Sequence, residues 1–250
     1  MRLVVIGATG RTGGEIVAEA GGRGHDVVGV ATSSDTVEDV RVYPNTELPE
    51  LLGGADAAID FSAPAATSEY AETVAEAGVP YVVGTTGFED SGLERLREAS
   101  ERTAVLKASN FARGVQALLA VVEAGVEALP DYDVELTETH HNGKRDAPSG
   151  TANTILDAVD EARGDGDESP LDRTHGREGE HPRDASEVGV HVRRAGNVRG
   201  EHELLLAGND EVLTLTHRAE SRRVFAAGAV DAAEWLAGKE PGWYEFGDVL

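Results

Sequence analysis

Short apolar runs recur along the first half of the chain. Each is followed by small polar residues and then by a stretch with helical spacing. Residues 3–6 (Leu-Val-Val-Ile) form a continuous apolar run, as a strand buried on both faces of a parallel sheet requires. Residues 15–20 read as a helix, 26–31 as a second strand, 36–54 as irregular and 55–61 as another apolar strand. Residues 67–77 and 93–100 read as helices, and 79–83 and 103–107 as strands. This alternation predicts an α/β fold with a doubly wound parallel sheet of Rossmann type. A long helix is predicted over 114–129. The period then changes. Val134 and Leu136 alternate with polar residues, and so do Val188, Val190 and Val192 and residues in 201–206 and 212–216. These predict antiparallel strands with one open face, in a smaller α+β domain with a mixed or antiparallel sheet. A closing helix is predicted over 222–236. Residues 163–187 are charged and glycine-rich without a period, and read as a mobile loop, either a flap or a disordered insertion.

Chemistry enters at the first strand end. Gly7-Ala8-Thr9-Gly10-Arg11-Thr12-Gly13 has the spacing Gly-x-x-Gly-x-x-Gly, a variant of the dinucleotide fingerprint. Glycines there let backbone approach a pyrophosphate at the start of the next helix. Gly84-Thr85-Thr86 and Ala108-Ser109-Asn110-Phe111 also follow predicted parallel strands, at the carboxyl ends where such sheets bind ligands. After the second strand, an NAD-binding fold would place an acid on the ribose hydroxyls. This chain has Thr32-Ser33-Ser34, whose hydroxyls can donate to phosphate oxygens, and Asp35 arrives late.

The densest chemistry lies in residues 134–152. His140 and His141 are followed by Lys144 and Arg145, and then by Asp-Ala-Pro-Ser-Gly-Thr. Adjacent side chains on a strand face opposite ways, so both histidines serve one substrate only if the strand has ended. Ala152, Ile155, Leu156 and Val159 are spaced as the inner face of a helix, which places Ser149, Gly150 and Thr151 at its N-terminus. Unpaired N–H groups and the helix dipole attract anions there. Cations on one side and a helix N-terminus on the other predict a carboxylate or phosphate pocket. Ser149 taken alone has a simpler reading as an N-cap. Adjacent histidines lack a third ligand at metal-site spacing, so no metal is expected.

Composition sharpens this picture. The 250 residues carry a formal net charge of −24, with 46 acids against 22 lysines and arginines, and only three of the cations are lysines. So acidic a surface argues against nucleic acid and anionic membrane as partners. It matches proteins that work in concentrated salt. There is no cysteine, which excludes disulfides, thiolate metal sites and cysteine nucleophiles. No apolar run reaches the ~20 residues of a bilayer span, and a strand directly after Met1-Arg2 predicts no secretory leader. A cytoplasmic location is expected.

Taken together, the run from Glu138 to Ala152 (Glu-Thr-His-His-Asn-Gly-Lys-Arg-Asp-Ala-Pro-Ser-Gly-Thr-Ala) resembles the signature of the 4-hydroxy-tetrahydrodipicolinate reductase family of the diaminopimelate and lysine pathway. Further matches fall in family order: the glycine loop, Asp60-Phe61-Ser62, Gly84-Thr85-Thr86-Gly87-Phe88, Ala108-Ser109-Asn110-Phe111, Arg194-Ala195-Gly196, Gly200-Glu201-His202 and Ser221-Arg222. The resemblance implies a dinucleotide-binding domain over 1–111 and 222–250, and a substrate-binding and oligomerisation domain over 112–221 that forms a homotetramer. It implies reduction of a small dicarboxylate substrate by NADPH or NADH. By position, Gly7, Ala8, Thr9, Gly10, Arg11, Thr12, Gly84, Thr85, Thr86, Ala108, Ser109, Asn110 and Phe111 would line the cofactor. His140 would be the acid at the reacting centre and Lys144 a second proton donor. His141, Gly150 and Thr151 would hold substrate. The departure lies at Thr32 and Ser33, where many members carry an acid that selects NADH. Aspartate-semialdehyde dehydrogenases need the cysteine this chain lacks. Homoserine-type dehydrogenases, and a catalytically inert dinucleotide sensor, are the rival readings.

Overall fold

The computed structural model describes residues 1–164 and 170–250. The chain divides into two compact units, Met1–Arg113 with Arg222–Leu250, and Gly114–Ser221. The first unit opens with β1 (Arg2–Ile6), α1 (Arg11–Gly22), β2 (Asp26–Ala31), β3 (Asp35–Val37), β4 (Val40–Pro44) and α2 (Leu48–Leu51). It continues through β5 (Ala57–Asp60), α3 (Pro64–Glu76), β6 (Tyr81–Val83), α4 (Asp90–Ser100) and β7 (Ala104–Lys107). Helix α5 (Arg113–Ala128) begins at the boundary and opens the second unit, which continues with β8 (Asp133–His140), α6 (Gly150–Arg163), β9 (Asp172–Thr174), β10 (Glu187–Arg194), β11 (Glu201–Ala207) and β12 (Val212–Arg218). The chain then returns to the first unit with α7 (Arg223–Leu236) and β13 (Gly242–Tyr244).

The first unit is an eight-stranded sheet in the order β13-β7-β6-β5-β1-β2-β4-β3. Only β3 runs antiparallel to its neighbour. In β1, Leu3 and Val5 join a core under α1 and α7, while Val4 and Ile6 join a second core under α2, α3 and α4. Burial on both faces explains why the strand is apolar throughout. The chain leaves β1 for β2 on one side and later reaches β5 on the other. The carboxyl ends of β1 and β5 therefore flank the switch point at which such sheets bind ligands.

Residues 36–54, expected to be irregular, contain β4, α2 and most of β3. The β3–β4 hairpin turns through Glu38 (φ 49°) and Asp39 (φ 63°). Tight hairpins usually fill left-handed positions with glycine or asparagine, so this one carries no sequence flag.

The second unit is a five-stranded sheet in the order β12-β11-β8-β10-β9. Helices α5 and α6 cover one face, where Leu118, Val122, Ile155 and Val159 pack on Val134, Leu136, Val190 and Leu204. β11 and β12 are antiparallel as expected. β10, however, is parallel to β8, because α6 lies in the connection that crosses over between them, and β9 pairs parallel with the other edge of β10. The alternating pattern reported the half-exposed sheet, not the direction of its strands.

The reading of 163–187 as a loop is corrected in part. Arg163 ends α6, residues 165–169 lie outside the described residues, and β9 pairs with β10. Arg177 meets Glu187 at 2.5 Å, Arg183 pairs with Glu135 and meets Asp133 at 2.9 Å, and Thr174 Oγ1 donates to Glu187 at 2.7 Å. Cations of this segment are thereby tied to acids on β8 and β10. Among the described residues, no helix is long and apolar enough to cross a membrane.

Candidate active site

The glycine loop is built by backbone packed on backbone. Gly7 leaves β1 with φ 81°, and its amide donates to the Val30 carbonyl at 2.9 Å. A Cβ on Gly7 would lie 2.8 Å from the Phe61 carbonyl oxygen, and one on Gly13 would run into the Gly7 carbonyl. Gly10 is the N-cap of α1 and has no side chain to cap it, and the first turn of α1 contains no acid. Its leading N–H groups and the positive end of its dipole suit an anion, so residues 7–12 fit a dinucleotide pyrophosphate. Ala8 is fully buried and offers only backbone, whereas Thr9 and Arg11 are exposed.

Neighbouring strand ends complete this region. Thr32 and Ser33 are exposed where β2 stops. Asp35 opens β3, and its carboxylate accepts the Thr36 amide at 2.8 Å. Thr85 is buried and accepts from Thr67 Oγ1 at 2.9 Å, while Thr86 is exposed. Ala108 donates its amide to the Val83 carbonyl at 3.1 Å, and Asn110 Oδ1 accepts the Ala112 amide at 2.8 Å. The Phe111 ring is core, 5.5 Å from Phe61 and 5.1 Å from Phe246, so it supports this loop from beneath. Asp60, fully buried at the end of β5, accepts the Ser62 amide at 2.8 Å and the Tyr81 hydroxyl at 2.5 Å. Burial pushes its pKa up, against the pull of these hydrogen bonds. It fixes the Phe61-Ser62 turn against which Gly7 packs.

In the second unit the alternation of β8 sends Val134, Leu136, Glu138 and His140 to the helix-covered face. Glu138 has no exposed surface. Its Oε2 pairs with His140 Nδ1 and accepts from Arg194 Nη1 at 3.0 Å. Its Oε1 accepts from Arg194 Nη2 at 2.9 Å and from the Ser149 amide at 3.0 Å. Burial alone would raise the Glu138 pKa, but the hydrogen bonds and charges of His140 and Arg194 outweigh it and hold the group at about 2. Arg194 also donates to the Asp146 carbonyl at 2.7 Å.

His140 stands edge-on to His202, with ring centroids 5.2 Å apart. His202 Nε2 lies 3.1 Å from Ser149 Oγ, and burial, helped by the neighbouring His140, pushes the His202 pKa down to about 4. Gly200 leaves room beside His140, since a Cβ there would sit 3.2 Å from Nε2. β8 stops at His140, so His141 is released from the strand alternation. Lys144 Nζ meets Asp146 at 2.8 Å, and its amide donates to the His141 carbonyl at 3.2 Å. Ser149 caps α6 by accepting the Ala152 amide at 3.2 Å. With its Oγ also on His202 and only 2% exposed, Ser149 is a buried cap, and Gly150 and Thr151 form the first turn beyond it.

The structure thus joins His140 and Ser149 through Glu138, and holds the loop carrying Lys144 through Arg194 and Asp146. Glu138, Arg194 and His202 were not among the expected site residues. A signal for Glu138 existed, since it shares the parity of Val134 and Leu136, and an acid in that register must be buried and paired. His202 sits beside Glu138 in the sheet and Arg194 beside His140, neighbours that only the strand pairing reveals.

A doubly wound sheet with a phosphate cradle at its switch point, and a second unit bearing a histidine and a lysine, define an NAD(P)-dependent oxidoreductase. Comparison narrows the class. The family described as "Dihydrodipicolinate reductase, N-terminus" matches residues 1–111, and "Dihydrodipicolinate reductase, C-terminus" matches 114–250. A 4-hydroxy-tetrahydrodipicolinate reductase of Natronomonas pharaonis is 76% identical over 250 residues, the full length of both chains. One from Haloarcula marismortui is 54% identical over 100% of this chain and 98% of its own. The dipicolinate-bound dihydrodipicolinate reductase from Paenisporosarcina sp. TG-14 shares the fold, with a TM-score of 0.78 at 23% identity over 100% of this chain and 99% of that one. The chain belongs to the dihydrodipicolinate reductase family, whose members use NADH or NADPH.

Proposed function

We propose that the chain reduces 4-hydroxy-tetrahydrodipicolinate to tetrahydrodipicolinate with NADPH or NADH, a step toward diaminopimelate and lysine. The observation that carries this reading is the hydrogen-bonded group of His140, Glu138, Arg194 and Ser149 at the first turn of α6. Reduced nicotinamide, when bound, supplies the hydride. Residues 7–12 would hold its pyrophosphate by their N–H groups. Thr32 and Ser33 would meet the adenosine ribose, and residues 84–86 and 108–111 would line the rest of the cofactor.

The substrate is a small ring with two carboxylates. Once the 4-hydroxyl leaves as water, the ring is a conjugated imine that accepts hydride at an electron-poor carbon. Negative charge then develops toward the nitrogen and the adjacent carbon. His140 delivers a proton to that charge from Nε2, and Lys144 serves as a second donor and a stabilising cation. His141 and the first-turn N–H groups of Gly150 and Thr151 hold a carboxylate, with Ser149 fixing the turn. The reading extends to a cytoplasmic homotetramer working in concentrated salt. The uncovered face of the second sheet and the exposed Val212, 59% accessible, support assembly, and the charge of −24 supports the salt.

A coupled assay tests the activity. Pyruvate, aspartate semialdehyde and a synthase generate the cyclic substrate, and loss of reduced-nicotinamide absorbance is followed. Rapid loss that depends on this protein is expected; none would remove the reading.

A further inference from the structure

Glu138 receives four hydrogen bonds on two oxygens: two from Arg194, one from the Ser149 amide and one at His140 Nδ1. That fills the acceptor capacity of a carboxylate. Arg194 balances the charge, and the group is ionised at neutral pH. An ionised carboxylate can only accept, so the proton in the His140 contact belongs to Nδ1. Nε2 is then the ring nitrogen left to exchange a proton. The same carboxylate holds the amide of Ser149, whose side chain caps α6. Arg194, its ion-pair partner, holds the Asp146 carbonyl in the loop before that helix.

We propose that Glu138 is a positioning residue, which sets His140 in the Nδ1–H form and fixes that imidazole relative to the first turn of α6. This deepens the reading of His140 as proton donor and rests on it. A carboxylate behind a histidine orients the ring and supports the positive charge the ring carries before it gives up its proton. Here one carboxylate also fixes the turn that would hold the substrate carboxylate, so the proton donor and the carboxylate-binding turn are positioned by a single buried group.

Glu138→Gln separates this role from a purely structural ion pair. Arg194 and the Ser149 amide are donors and will claim the single amide carbonyl. The amide NH2 then faces His140, which must accept at Nδ1 and carry its proton on Nε2. Nitrogen-15 spectra of the histidine rings in the full-length protein, recorded without substrate above neutral pH and assigned with His140→Asn, report the tautomer directly. The expected wild-type spectrum shows His140 as Nδ1–H, and Glu138→Gln converts it to Nε2–H. In the reductase assay kcat should fall roughly a hundredfold or more, with KM for reduced cofactor unchanged. Glu138→Asp, which keeps the charge, should recover part of the loss.

Wild-type His140 in the Nε2–H form would overturn the proposal, and that measurement does not depend on any Glu138 variant folding. So would a Glu138→Gln protein that keeps both tautomer and kcat. Because the tautomer is read without substrate, a wild-type protein inactive on the cyclic imine would sink the functional reading while leaving the tautomer test standing.

Discussion

Lys144 follows the paired histidines in a chain with only three lysines, and Asp146 holds its ammonium at 2.8 Å. If Lys144 and His140 handle charge and protons in the transition state, replacing either with alanine lowers kcat by roughly 10²–10⁴. Cofactor affinity should barely change, because the glycine loop belongs to the other unit. Steady-state kinetics with fluorescence titration of the reduced cofactor checks both, and a Lys144→Ala enzyme with near-wild-type kcat would remove the role. Cofactor choice is also decided by single residues. Thr32 and Ser33 are uncharged and exposed at the end of β2, and Arg11 is exposed at the start of α1. Asp35 is engaged with the Thr36 amide. Lacking the acid that repels a 2′-phosphate, the site should use NADPH at least as well as NADH. Asp or Glu at position 32 or 33 should shift the preference toward NADH. The check is kcat/KM for both cofactors, and a tenfold wild-type preference for NADH would show that another acid fills the role.

At the scale of elements, His202 fastens β11 to the cap of α6 through Ser149. Burial, then the charge of His140, disfavours its protonated form and brings the pKa from 6.5 to about 4, while Glu138, His217 and Lys144 also act on it. The folded protein therefore binds fewer protons than the unfolded chain between these values. Stability contributed here is complete above pH 6.5, declines as pH falls to about 4, and amounts to about 3 kcal/mol. Denaturant melts across that window should show the slope in wild type, and a His202→Asn protein should lack most of it; equal slopes would refute the assignment.

Elements differ in how openly the sequence displays them. β1 was legible because burial on both faces demands an unbroken apolar run, and β8 because one covered face demands alternation. The direction of β10 was not legible, since parity is blind to it. The β3–β4 hairpin was hidden because Glu38 and Asp39 occupy positions usually marked by glycine. In the candidate site, His140, Lys144 and the α6 turn lie within one short run and could be read together. Arg194 and His202 lie far along the chain, and only the pairing of β10 and β11 with β8 brings them to Glu138.

Across the whole molecule the dominant quantity is the net charge of −24. Such a charge repels itself, and the Debye length shrinks from about 10 Å at 0.1 M salt to about 3 Å at 1 M. The melting temperature should rise with KCl into the molar range. A temperature that stays flat or falls would count against adaptation to salt. One other feature belongs to this scale, the return of α7 and β13 to the first sheet. Helix α7 supplies Ala226, Ala229, Val230, Ala233 and Leu236 to the core beneath α1, and β13 extends the sheet beyond β7. During synthesis the amino-terminal strands therefore leave the ribosome with an apolar face uncovered, and the intervening unit is complete in sequence before its host can close. A nascent chain of this kind carries sticky surface until α7 and β13 emerge, which makes these two returning elements a point of vulnerability in biogenesis out of proportion to their length.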